Sequence, residues 1–312
     1  MITTVNLNPC IDRSISLSDF QYGKLNRVRG SRYDASGKAI NVGIVAKKLG
    51  KVVECLGFNY SEDGHLLTSA LDKLQIKYEF IYIEGRLRTN TKILDIHTNI
   101  FTELNENGGR VSPKDVFALR ELIKRHSCKS NIVMIGGSVP EGVENSVYRE
   151  ILEDLQNLNI KTILDAEKDL LLEGIKAKPY LIKPNLYELE VTFGKKCATK
   201  KDIIDLALKI IDSGVAVVCV SMGEAGALIC NSNEAFYAPG LNLHIRGFQG
   251  AGDAMVGGIC VAMEDNCNLE DMLRYGMAAS AASLILEGTQ LCEKAGFYEF
   301  MDQIKIMPIG VR

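Results

Sequence analysis

Short runs of apolar, often β-branched residues recur along this chain, separated by amphipathic helical patterns, and few architectures accommodate that rhythm. TTVNLN (3–8), VVECLGF (52–58), NIVMIGG (131–137), KTILDA (161–166), PYLIKPN (179–185) and VAVVCVSMG (215–223) read as strands. Their apolar stretches are continuous rather than alternating, as in strands covered on both faces of a largely parallel sheet. Between them, KAINVGIVAKKLG puts Ile40, Ile44, Val45 and Leu49 on one helical face and stops at Gly50. SPKDVFALRELIKRH opens with Ser112 as cap and Pro113 in the first turn. ENSVYREILEDLQNLN and KKDIIDLALKIIDSG repeat the helical pattern. The expectation is an α/β fold, with a mostly parallel central sheet flanked by helices and residues 1–312 forming one domain.

Three segments break the rhythm. IDRSISL (11–17), LNRVRGSRYD (25–34) and NTKILDIHTNIFTELN (90–105) alternate polar and apolar residues, the last with a turn signal at HTN. They predict a small β-sheet lid over the core, formed by segments 11–35 and 86–106. Surface hairpins without a role would give the same pattern.

Bulk properties exclude some partners. A net charge of -3 gives no electrostatic reason to expect nucleic acid. No apolar run reaches the roughly 18 residues of a membrane span, so no membrane association is expected. The opening MITTVNLNPC lacks a signal-peptide pattern. Nine scattered cysteines without a CxxC pair suit a reducing cytoplasm better than a disulfide framework.

The chemistry concentrates at GFQGAGDAMVGG (247–258), where small residues surround one acid, Asp253, just before an apolar helix. A helix start offers unpaired N–H groups and partial positive charge, and glycines let an anion come close. Asp253 would stand beside that anion, placed to take a proton; a plain glycine turn with an acid near a helix start is the alternative. Gly257 and Gly258 inside the helix each cost about 1 kcal/mol relative to alanine, so a neighbouring helix or a flat ligand must need the space. Other nucleotide and metal signatures are missing. SGKAIN is not a GxxxxGK[ST] loop, HRD and DFG are absent, and GAGD departs from GxGxxG. The four histidines have no zinc-ligand spacing.

Further polar groups follow predicted strands. In KPNLYELE, Asn185 and Glu188 have capping-box spacing, and the same pair could order water around a magnesium ion. SMGEAGAL places Gly223 and Gly226 at a strand end, where a phosphate or ribose could bind or a plain turn could lead into the next strand. DASGKAINVG offers Ser36, Gly37, Lys38 and Asn41 at another helix start, and Asp12 follows the first strand. Lys24, Arg27 and Arg88 are cations in or beside the lid; singly each reads as a surface charge, but with Lys38 they could hold a substrate phosphate.

In this order, TVNLNPCIDRSI, GKLNRV, SGKAINV, RTNTKILD, GGSVPEGV, KPNLYELE, SMGEAGAL and GAGDAMVGG resemble the ribokinase (PfkB) family of carbohydrate kinases, end to end. They resemble most the branch acting on sugar phosphates, which includes 1-phosphofructokinases, tagatose-6-phosphate kinases and a minor type of 6-phosphofructokinase. The resemblance implies a ribokinase-like fold, ATP and Mg²⁺, and phosphorylation of a ketohexose phosphate, foremost fructose 1-phosphate to fructose 1,6-bisphosphate. A tagatose-6-phosphate kinase and a non-catalytic sugar-phosphate sensor are the alternatives. It implies Asp253 as general base and Gly250, Ala251 and Gly252 as the anion hole. Asn185 and Glu188 would organise Mg²⁺ through water. Lys183, Asn185, Ser221, Gly223 and Gly226 would line the ATP site. Asp12, Gly37, Lys38, Asn41, Arg88 and Ser138 would face the sugar phosphate, helped by Lys24 and Arg27, and the lid would double as a homodimer contact. Two departures stand out: Ser36 to Ala39 read SGKA in place of GGKG, and Phe248 and Gln249 replace the small hydroxyl residues that usually precede GAGD.

Overall fold

The structure, a computed structural model, describes residues 1–247 and 249–311. In chain order its strands are β1 (Ile2–Asn6), β2 (Cys10–Leu17), β3 (Gly30–Ser36), β4 (Val53–Tyr60), β5 (Lys77–Ile83), β6 (Arg88–Asp95), β7 (Ile100–Asn105), β8 (Ile132–Gly136), β9 (Lys161–Asp165), β10 (Leu181–Ile182), β11 (Val217–Ser221), β12 (Ala227–Cys230), β13 (Ala235–Ala238) and β14 (Met307–Ile309). Its helices are α1 (Lys38–Lys48), α2 (His65–Lys73), α3 (Pro113–Ser127), α4 (Val147–Leu155), α5 (Lys168–Ile175), α6 (Leu186–Phe193), α7 (Lys200–Asp212), α8 (Ala251–Glu264), α9 (Leu269–Leu284) and α10 (Lys294–Met301).

Ten strands form one sheet in the order β14-β13-β12-β11-β10-β9-β8-β1-β4-β5. Pairing is parallel from β5 through β11 and antiparallel from β11 to β14. β1 and β8 are buried at every residue, which is why their sequences are unbroken apolar or small-polar runs. Local signals start the helices. Ser112 and Asp115 close a capping box on α3 with Pro113 in its first turn, and Thr199 and Asp202 do the same on α7.

The second sheet has the order β3-β2-β6-β7 and comes from the alternating segments read as a lid. β2 pairs antiparallel with β3 and parallel with β6, bringing Cys10 opposite both Ser36 and Arg88, and Asp12 opposite Asn90. Strand limits differ from expectation in places. The second lid strand, β3, begins at Gly30, and residues 25–29 lie in the connecting loop. Of 179–185 only Leu181–Ile182 forms a strand, with a single further bridge from Asn185 to Ser221, because Pro184 has no N–H to donate and the chain turns at once into α6. β5 and β14 stand at the two edges of the large sheet; in β5 only Phe80 and Ile83 are buried.

The helical glycines have a packing cause. A Cβ on Gly257 would come within 2.6 Å of Val45 Cγ1 on α1, and one on Gly258 within 2.4 Å of the Tyr275 carbonyl oxygen on α9. α8 is therefore clasped between two neighbouring helices, each approaching too closely for a side chain at that point.

Candidate active site

The carboxyl-terminal ends of the parallel strands open onto a cleft of about 780 Å³. One wall is the start of α8. Gly250 precedes the helix in the left-handed conformation (φ 75°), which directs the following amides outward without a Cβ penalty. Asp253 lies in the first turn, where the Gly250 carbonyl already accepts from Ala254 N at 2.7 Å. The amides of Ala251 and Gly252 precede any intrahelical bond and face the cleft.

Asp253 Oδ2 accepts a 2.7 Å hydrogen bond from Asn41 Nδ2 on α1, and Asn41 Nδ2 also reaches Ser36 Oγ at 3.3 Å. Burial pushes the Asp253 carboxyl up to about 6; Asp165 adds to that, while Lys38, the Asn41 hydrogen bond and Lys183 oppose it. Its affinity for a proton is thus far closer to neutrality than that of an ordinary aspartate.

Lys38, from the first turn of α1, donates to Asp165 Oδ1 at 3.2 Å and lies 3.9 Å from Glu188 Oε1. Burial opposes its charge, but Asp165, Glu188 and Asp253 together hold the ammonium charged well above the usual lysine range. Lys183 Nζ, nearly inaccessible, stands 3.9 Å from Asp165 Oδ1 and 3.8 Å from where a Gly252 side chain would begin. It is a second ammonium beside the amides of α8.

Asn185 and Glu188 realise the capping box on α6. Asn185 Oδ1 accepts from Glu188 N and Glu188 Oε2 accepts from Asn185 N, both at 2.8 Å. The cap uses one Glu188 oxygen and leaves Oε1 toward the cleft, so the structural and functional readings coexist. Ser221, Gly223 and Gly226 line the same cleft around a 3₁₀ turn, Gly223–Ala225, that leads into β12. Beyond them Met222, Leu243, Met277 and Leu284 give an apolar end.

A second polar cluster lies at the lid. Asp12, almost wholly buried, accepts from Lys92 Nζ at 2.6 Å and from Asn90 Nδ2 at 3.3 Å. Arg88 donates to the Asn8 carbonyl at 3.0 Å and the Glu106 carbonyl at 3.1 Å, and Ser138 Oγ accepts from Asn8 Nδ2 at 3.1 Å. Gly37 presses on Asn6, 2.3 Å from the position of its missing Cβ. The fold thus joins Asp253, Asn41, Lys38, Lys183, Asn185 and Glu188 at one centre, with Asp12, Arg88 and Ser138 at the lid edge. Lys38 sits among the acids of the cleft rather than beside Arg88. Lys24 and Arg27 stand exposed on the loop between β2 and β3; neither they nor Asp12, Gly37, Asn41, Arg88 and Ser138 are among the described residues lining the cleft. Phe248 lies outside the described residues.

Four participants escaped the sequence reading: Asp165, Asn8, Asn90 and Lys92. Asp165, the acid between both lysines, was signalled only by a carboxylate ending the apolar run KTILD. Asn90 and Lys92 alternate with Arg88 along β6, which puts all three on one face.

The sequence profile of the pfkB family carbohydrate kinases matches residues 5–295. The chain belongs to that family. A 1-phosphofructokinase from Borreliella burgdorferi is 35% identical over 310 residues, covering 99% of each chain. Phosphofructokinase-2 from Escherichia coli superposes with a TM-score of 0.91 at 24% identity, covering 97% of this chain and 98% of that one. A ribokinase from Thermotoga maritima does so with 0.78 at 21% identity, covering 96% and 99%. The fold is ribokinase-like, and this pfkB-family member is an ATP-dependent carbohydrate kinase. Among the described residues no helix is long and apolar enough to cross a membrane.

The cleft offers hard oxygen donors of the kind magnesium takes. The carboxylates lining the cleft are those of Asp165, Glu188, Glu190, Glu224 and Asp253, of which Asp165 and Glu188 flank Lys38, and the described residues hold no cluster of three acid, His or Cys ligands. That set suits Mg²⁺, which retains most of its water and leans on one or two carboxylates.

Proposed function

We propose that this kinase transfers the terminal phosphoryl group of ATP to the free primary hydroxyl of a ketohexose phosphate, with fructose 1-phosphate converted to fructose 1,6-bisphosphate. The observation that carries the reading is the meeting of Asp253, a carboxylate whose pKa burial raises to about 6, with the unbonded amides of α8 and the ammonium groups of buried Lys183 and half-buried Lys38. The names borne by the relatives support the choice of substrate.

Asp253 accepts the proton of the attacking hydroxyl as the O–P bond forms, an assistance typically worth about 10²–10⁴-fold. Asn41 holds the carboxylate in register through the oxygen it binds, leaving the other free for the hydroxyl. The amides of Gly250 to Gly252 and the ammonium groups of Lys183 and Lys38 meet the charge that builds on the phosphoryl oxygens; one such preorganised donor contributes about 3–4 kcal/mol at comparable sites. Mg²⁺, held through water by Glu188 and Asp165, would screen the phosphates. Ser221, Gly223 and Gly226 border the nucleotide, whose base enters the apolar end by Met277 and Leu284. On the opposite side Asp12 receives sugar hydroxyls, while Arg88 and Ser138 receive the phosphate already present.

The lid's solvent face carries Tyr33, Ile100 and Leu104, all more than half exposed, and we assign it to a homodimer contact. Nine free cysteines, seven of them buried, fit a cytoplasmic setting.

The test is the purified protein assayed with MgATP against fructose 1-phosphate, tagatose 6-phosphate, fructose 6-phosphate and unphosphorylated fructose. Fructose 1-phosphate should give the highest kcat/KM. Equal turnover of free fructose would refute the phosphate-reading lid.

A further inference from the structure

The anion hole is tied to the lid at two points, one of them through a residue that departs from the family pattern. Gln249, the residue before Gly250, donates its side-chain amide to Glu103 Oε1 on β7. The remaining Glu103 oxygen takes a long contact of 3.4 Å from Asn105. The second tie is the turn 285–291. Thr289 Oγ1 donates to Asp34 Oδ2 on β3 at 2.7 Å. On its other side the turn touches the same loop that leads into α8. A Cβ on Gly247 would come within 2.5 Å of the Gly288 carbonyl, and one on Gly250 within 2.7 Å of Leu291 Cδ2.

We propose that Glu103 and Gln249 are positioning residues for phosphoryl transfer: their contact lets the lid hold the loop whose last residue, Gly250, aims the amides of α8. The inference rests on the kinase reading above and adds a division of labour within it. Neither side chain reaches the reacting atoms. Gln249 precedes a left-handed glycine, so a change in its backbone angle rotates the whole row of donors. Gly288 and Leu291 brace that loop from the far side. Sugar bound beneath the lid would thereby favour the aligned amides, and an open lid would leave them loose, limiting transfer to water.

The test uses the full chain with Glu103→Ala, Gln249→Ala, the double variant and Glu103→Gln, the last keeping an acceptor for the Gln249 amide. Misplacing such donors by about 1 Å costs up to about 10²-fold, so each alanine variant should lower kcat by about tenfold with both KM values within about twofold. The double variant should be no worse than either single one, because the pair acts as a unit. Glu103→Gln should recover most of the rate. A second readout does not need turnover: amide hydrogen exchange at residues 254–256 should quicken in Glu103→Ala while β1 stays protected. Unchanged kcat, additive losses, or unchanged exchange at 254–256 would overturn the proposal. If wild-type protein phosphorylates no sugar phosphate, the substrate reading fails, and the exchange experiment still decides the coupling.

Discussion

Replacing Asp253 by Asn should make the protein inactive and more stable at once. The carboxyl is pushed from 3.8 up to about 6 because burial and Asp165 outweigh Lys38, Asn41 and Lys183. Each pH unit of displacement is worth about 1.4 kcal/mol, so the ionised group costs the native state about 3 kcal/mol as an upper figure. The native pKa lies above the unfolded one, so folded protein binds the proton more tightly. The penalty is therefore absent below about pH 4, grows between pH 4 and 6, and is complete above about pH 6. Asn keeps an oxygen for the Asn41 amide but carries no charge. Urea unfolding at pH 8 should show Asp253→Asn more stable than wild type by about 1–3 kcal/mol, and at pH 4 the two should nearly coincide. The same variant loses the proton acceptor, and kcat should fall by about 10²–10⁴-fold. A variant turning over within tenfold of wild type would refute the base assignment. One less stable at pH 8 would refute the electrostatic argument while leaving the chemistry standing.

In wild type, kcat/KM should decline on the acid side with an apparent pKa near 6 as Asp253 takes up its proton; a profile flat down to pH 5 would contradict the stated environment. Arg88→Ala should raise KM for the sugar phosphate by about tenfold or more, the worth of a charge-assisted contact, with little change in KM for ATP, both read from initial rates. Gly258→Ala should cost about 1–3 kcal/mol in chemical denaturation despite better helix propensity, since its methyl group meets the Tyr275 carbonyl. Asn185→Ala should remove about 1 kcal/mol by loss of the α6 cap and also raise the Mg²⁺ concentration at half-maximal rate.

The central strands were readable because burial on both faces forces unbroken apolar runs, as in IVMIG of β8. The lid was readable for the opposite reason, its alternation marking one exposed face. Edge position hid β5, which buries only Phe80 and Ile83 and keeps charged residues at Lys77 and Glu79. Asp253 and the Asn185–Glu188 pair were legible because glycines and cap spacing are local signals. Asp165 was not, since an acid after a strand has many structural uses and its meaning lies in two lysines from distant segments. Lys38 was recognised but assigned to the sugar's phosphate, for nothing local tells that its ammonium is drawn in by Asp165 and Glu188. The Glu103–Gln249 contact spans 146 residues and has no local trace at all.

Asn41 and Asp253 are 212 positions apart, yet one hydrogen bond joins them. While the polypeptide is being synthesised, the amino-terminal half can assemble β1, β4 and β8 early, but Asp253, the proposed proton acceptor, emerges only after four-fifths of the chain. A nascent or truncated molecule can thus collapse around much of its sheet without ever becoming a wasteful consumer of nucleotide triphosphate.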